Sequence, residues 1–145
     1  MSTEPDTIEL TLRRTLAASP AEVYAAWLDP TCPATPWHDA QKLIFDAAVD
    51  GMFFINMAKA GRNNPHYGRF LTLQSGVQIR HTWVSRYTEG LESEVTITFE
   101  ARGHETLMTL HHANLPDSER GRLHEQGWSS FLDRFPGQFP QRKRA

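Results

Sequence analysis

The sequence predicts an α+β domain in which a curved antiparallel sheet of six to seven strands wraps a long C-terminal helix. Three observations carry that expectation. Strand-like segments follow one another from residue 42 to residue 113 with only short turn motifs between them. None of those turns is long enough for a helical crossover, so neighbouring strands must run antiparallel. After Pro116, apolar residues recur at three- and four-residue intervals, which is the stripe of a helix that buries one face.

The elements follow in order. Residues 7–16 alternate, with Ile8, Leu10 and Leu12 opposite Glu9, Thr11 and Arg13, the period of a half-buried strand. Ser19, Pro20 and Glu22 combine a capping hydroxyl, a proline at the first helical position and a carboxylate three residues after the cap. The helix they open carries Val23, Ala26 and Trp27 on one face. It ends near Asp29-Pro30, because proline disfavours helical geometry in the residue before it. Pro30, Pro33 and Pro36 mark an irregular crossover that leads past Trp37. Residues 42–49 and 52–57 flank Asp50-Gly51 and read as a hairpin with a tight turn. Residues 67–73, 77–86, 94–102 and 105–113 read as four further strands, separated by Ser75-Gly76, Glu89-Gly90 and Arg102-Gly103. Asp117 and Ser118 can cap the last helix, which runs to about Phe135 with Leu123, Gly127, Trp128, Phe131, Leu132 and Phe135 in its stripe.

Length and composition fit one domain over residues 1–145, with 39% hydrophobic residues to fill a core. A net charge of -2 gives no general attraction to nucleic acid or an anionic membrane, so neither is an expected partner. The basic run Arg142, Lys143 and Arg144 reads as a solvated tail. Residues 1–9 are polar and acidic, unlike a secretion signal, and no apolar run is long enough to span a bilayer. Cys32 is the single cysteine, so the chain holds no internal disulfide and no cysteine-based zinc site. A cytoplasmic location is the expectation.

Gly68-Arg69-Phe70-Leu71-Thr72-Leu73, followed by Ile79-Arg80-His81-Thr82-Trp83, forms a two-strand signature. With it go the capped helix bearing Val23 and Trp27, the strand from Thr106 to His112 before Leu115-Pro116, and Gly127-Trp128 in the last helix. Together these resemble the bacterial homologues of the activator of the ninety-kilodalton heat-shock protein ATPase. That family belongs to the START-like helix-grip superfamily, which also holds polyketide cyclases and pollen-allergen-like proteins. The resemblance covers nearly the whole chain. It implies a helix-grip fold with a cavity between sheet and helix. Three residues depart from the family pattern: His81 stands where a hydrophobe is common, Thr72 where an acid is common, and Asn114 where glycine is common.

Strand alternation turns Val77, Ile79, His81 and Trp83 to one face. Phe53, Ile55 and Met57 share a face, as do Val95, Ile97 and Phe99, and Met108, Leu110 and His112. If these faces converge on Trp128 and Phe131 of the last helix, with Trp37 of the crossover beside them, they line a mostly apolar pocket. The candidate ligand-binding residues are therefore Trp37, Phe53, Ile55, His81, Trp83, Ile97, Phe99, Met108, Leu110, His112, Trp128 and Phe131. For most of them the ordinary reading is packed core. For His81 and His112 it is a hydrogen-bonded core imidazole, and the alternative is a ligand contact.

His111 and His112 point to opposite faces of one strand, so no metal site is expected and no cofactor is implied. No spacing ties Asp46, Asp50 or Glu94 to the histidines, and Ser129 and Ser130 have no base in register, so no catalytic residue is assigned. The leading expectation is binding of a small hydrophobic or aromatic molecule, as carrier or sensor. The alternatives are a cyclase or aromatase-like enzyme using cavity histidines, and a co-chaperone-like interaction module. A second copy of the chain and a chaperone are the candidate protein partners.

Overall fold

The computed structural model describes residues 6–58, 61–136 and 139. The basic run Arg142–Arg144 and the first five residues of the polar N-terminal stretch lie outside the described residues. The chain forms β1 (Thr7–Leu16), α1 (Pro20–Leu28), β2 (Lys42–Phe45), β3 (Met52–Asn56), β4 (Pro65–Gln74), β5 (Gln78–Ser85), β6 (Ser93–Arg102), β7 (Glu105–Pro116) and α2 (Glu119–Arg134). The strands make one antiparallel sheet in the order β1-β7-β6-β5-β4-β3-β2. Strands β2 to β7 are a meander. The crossover through α1 carries the chain from one edge of the sheet, β1, to the other, β2.

Both helices start where their caps stand. The Ser19 hydroxyl accepts from the Glu22 amide at 3.2 Å, and the Ser118 hydroxyl accepts from the Gly121 amide at 3.2 Å. The buried face of α1 is Val23, Ala26 and Trp27, as its spacing predicts. On α2 the buried residues are Gly121, His124, Trp128, Phe131 and Leu132. His124 therefore takes the place expected of Leu123, whose side chain is 43% exposed. Arg14 on β1 clamps the far end of α2 by reaching Asp133 and Ser129.

Three expectations about the strands need correction. β2 ends at Phe45, and Asp50-Gly51 is not a two-residue hairpin turn. Residues 46–51 instead fold back on themselves, with the Gly51 amide on the Ala48 carbonyl at 2.8 Å. Asp50 and Gly51 then bond the backbone of Phe70 on β4. Asp50 has a φ of 66°, which an aspartate tolerates better than most residues. Val77 does not face inward: it lies in the turn before β5 and is 56% exposed. β7 runs past Ala113 to Pro116, through an irregularity in its pairing with β1 between Ile8 and Leu10. Asn114 sits there with a φ of 61°. A left-handed backbone favours glycine, and asparagine is among the residues that next best tolerate it.

Gly68 is required by a close approach. It pairs with Phe53 on β3, and a Cβ at this position would overlap the Thr82 carbonyl oxygen and the Phe53 ring. Gly68→Ala is expected to cost about 3 kcal/mol of stability through overpacking, read from the midpoint of urea unfolding. A change within about 0.5 kcal/mol, the ordinary surface range, would show that the strands accommodate the methyl group.

The core lies between the concave face of the sheet and the two helices. Trp27 is at its centre, with ring centroids of Trp37 at 5.1 Å, Phe131 and Phe135 at 5.9 Å and Trp128 at 6.2 Å. Aromatic pairs in such edge and offset arrangements add roughly 0.5–1.5 kcal/mol each beyond the area they bury.

Candidate functional site

Most of the expected enclosed cavity is filled. Ile97, Phe99, Met108 and Leu110 face inward as their alternation requires, yet they pack into the core and line neither of the two spaces described next. Phe53, Ile55 and His81 surround a void of about 10 Å³, with Trp27, Trp37, Phe45, Phe70 and Trp83 completing its wall. That volume is near the lower limit for one water molecule.

The large space is an open cleft of about 590 Å³ beside that void. One wall is α2, through Leu123, His124, Gly127, Trp128, Phe131 and Arg134. The other is Trp37 and Asp39 of the crossover and Met57, Asn64 and His66 around the β3–β4 connection. Trp83 and Tyr87 lie on the cleft as well, and Trp37 and Trp83 border both the cleft and the inner void. Four of the candidate residues, Trp37, Trp83, Trp128 and Phe131, thus meet at one opening.

Each aromatic wall residue is held from behind. The Trp37 indole N–H donates to the Trp27 carbonyl at 2.8 Å, which fixes the crossover on the end of α1. Trp83 lies 5.1 Å from Trp128 between ring centroids, and Trp37 lies 4.7 Å from Phe131. The Trp128 indole N–H donates to His112 Nδ1 at 2.9 Å. An indole nitrogen only donates, so His112 Nδ1 carries no proton and its Nε2–H faces the Ser93 hydroxyl at 2.7 Å. Ser93 in turn donates to the Trp83 carbonyl. This chain commits both His112 nitrogens to protein and ties β5, β6, β7 and α2 together behind the cleft. His81 is similarly anchored, its Nδ1 donating to the Thr82 carbonyl at 2.8 Å.

The imidazoles around this wall are neutral at pH 7. Burial pushes His66 and His81 down to about 4. It also lowers His112 and His124, with charge on neighbouring histidines adding to the effect at His112. Among the described residues the cleft is lined by one arginine, Arg134, which pairs with Asp39 at 2.7 Å where both side chains are largely exposed. Among the described residues no three His, Cys, Asp or Glu side chains converge as metal ligands would.

Two polar atoms on the cleft's own residues are buried without a hydrogen-bond partner among the described residues, Trp83 Nε1 and the side-chain oxygen of Asn64, whereas the His66 imidazole bonds the backbone of Ile55 and Asn64. His66 stacks on Trp83 with ring centroids 4.7 Å apart. His66, Asn64 and His124 were not among the residues the sequence singles out. His66 lies just ahead of the expected strand start at Tyr67. For His124 a signal does exist, since positions 121, 124, 128, 131 and 135 keep a three-four helical rhythm that Leu123 breaks.

Residues 17–138 match the sequence profile of a family described as Activator of Hsp90 ATPase homolog 1-like protein. No curated protein matches the chain. Among solved structures, protein CV1439 from Chromobacterium violaceum superposes with a TM-score of 0.74 at 25% identity, over 89% of this chain and 94% of that one. CalU16 from Micromonospora echinospora gives 0.65 at 26% identity, over 94% and 85%. PFC0360w, an HSP90 activator from Plasmodium falciparum, gives 0.72 at 20% identity over 88% and 92%, a likeness of fold alone.

Proposed function

We propose, for a chain that belongs to the Activator of Hsp90 ATPase homolog 1-like protein family, that the cleft between α2 and the sheet binds a small hydrophobic or aromatic molecule, as carrier or sensor. The observation that carries the reading is the meeting of Trp37, Trp83, Trp128 and Phe131 at a cleft of about 590 Å³, within the size and composition usual for small-molecule sites. The fold by itself would not license it, since one fold hosts many functions.

The carrier reading is favoured over an enzymatic one by the state of the polar groups. His112 has both nitrogens engaged, burial keeps His81 neutral, and Asp39, the one carboxylate that lines the cleft among the described residues, is held by Arg134 at an exposed position. Cys32 is a free cysteine, which fits a reducing compartment. Among the described residues no helix is long and apolar enough to cross a membrane.

A neutral hydrophobic dye such as Nile red is expected to saturate at about one site per chain and to quench tryptophan emission, because three of the four tryptophans line the cleft. Binding that never saturates, or emission unchanged by several chemically different probes, would count against the cleft. A second reading, contact with a chaperone ATPase, draws on the family's description and on exposed Ile44, Met52 and Tyr67 of the outer sheet. Absence of a complex with purified chaperone in sedimentation would remove it.

A further inference from the structure

Resting on that reading, we infer that the molecule bound is an uncharged hydroxyaromatic, whose ring lies among the cleft tryptophans and whose hydroxyl meets the unpartnered polar atoms of Trp83 and Asn64. The case starts from rarity. Buried polar atoms almost always have a partner, so two orphans on residues lining one cleft call for a common explanation. Their chemistry is mixed. Trp83 Nε1 can only donate and the Asn64 side-chain oxygen can only accept. A hydroxyl donates and accepts at once, which an ether, a ketone or a hydrocarbon does not.

Charge decides between a phenol and an acid. A carboxylate would need a cation in the cleft, and among the described residues the one that lines it, Arg134, is engaged by Asp39 at the exposed rim. The imidazoles that face the cleft, His66 and His124, are kept neutral by burial. An anion would therefore lose its hydration without compensation. The orphaned atoms are themselves covered, so binding includes a small rotation of the Trp83 and His66 rings, the kind of side-chain adjustment common on complex formation.

Calorimetric titration of the full chain with a matched naphthalene series tests this. β-Naphthol is expected to bind about tenfold more tightly than β-ethylnaphthalene, the combined effect of two modest hydrogen bonds. β-Methoxynaphthalene, which only accepts, should fall between them, and β-naphthoate should bind more weakly than the hydrocarbon. Trp83→Phe keeps an aromatic ring of nearly the same reach but removes the donor. It should weaken both ligands through the smaller ring while removing most of the ratio by which β-naphthol is preferred over β-ethylnaphthalene. The wild-type series alone decides the matter if the variant folds poorly. Equal affinity across the neutral members, or tighter binding of the naphthoate, would overturn the hydroxyaromatic assignment and leave the apolar cleft standing. No binding by any member would overturn both.

Discussion

Lowering the pH from 7 toward 4 is expected to unfold the domain. His66 and His81 take up protons near pH 6.5 when the chain is unfolded but only near pH 4 in the folded state, because burial penalises the imidazolium. Their stabilising influence is thus complete above 6.5 and is lost as the pH falls through the interval down to about 4. Each costs up to about 1.4 kcal/mol per pH unit there, roughly 3 kcal/mol in all. Two such groups approach the whole stability of a small domain, and His112 and His124 shift in the same direction. The urea midpoint measured from pH 7.5 to 4 should fall steeply below 6.5, with a slope that corresponds to two or more protons. His81→Phe should lower that slope by about one proton, since it removes one titrating group. A midpoint that stays flat down to pH 4.5 would mean that these imidazoles are hydrated or paired in the folded chain.

Trp128→Ala carries the largest expected cost of any single substitution in the cleft wall. Its ring is 6% exposed and touches Trp27, Trp83, Phe131 and His112. Truncation leaves a void in the core, for which about 4 kcal/mol is typical of a large aromatic. It also strands His112 Nδ1, which adds about 1–3 kcal/mol for an unpaired buried acceptor. Trp128→Phe refills most of the volume but still breaks the bond to His112, so its cost should be a fraction of the alanine figure. Equal losses for the two substitutions would assign the whole effect to the hydrogen bond. A loss below about 1 kcal/mol for the alanine would contradict the packing described for α2.

The fold was legible in the sequence because its signals are local. Capping at Ser19 and Ser118, the turn pairs at Gly76, Gly90 and Gly103, and period-two alternation from β4 to β7 are each written within a few residues. What escaped depends on contacts far along the chain. The fold-back of residues 46–51 is held by Phe70 on β4, so Asp50-Gly51 read in isolation looks like an ordinary tight turn. The irregular pairing between Phe70 and Thr72 lets Phe70 and Leu73 both pack against the core, which strict alternation forbids. The candidate site was legible only in its aromatic part. Alternation tells which face Ile97, Phe99, Met108 and Leu110 present, but not whether space remains in front of them once Trp27 and Trp128 are in place. His66 becomes visible only when β3 and β4 pair and bring it beside Trp83.

The central claim is that a small aromatic molecule occupies the cleft beside Trp83, and the indole N–H resonances of the four tryptophans report on it most directly. Titrated with β-naphthol, the indole proton of Trp83, which has no partner among the described residues, should shift most. Those of Trp37 and Trp128, which line the cleft while bonded to the Trp27 carbonyl and to His112, should move less, and that of Trp27, behind the wall, least. Four indole signals that stay in place while shifts appear on Ile44, Met52 and Tyr67 of the outer sheet would put the ligand elsewhere and contradict the account.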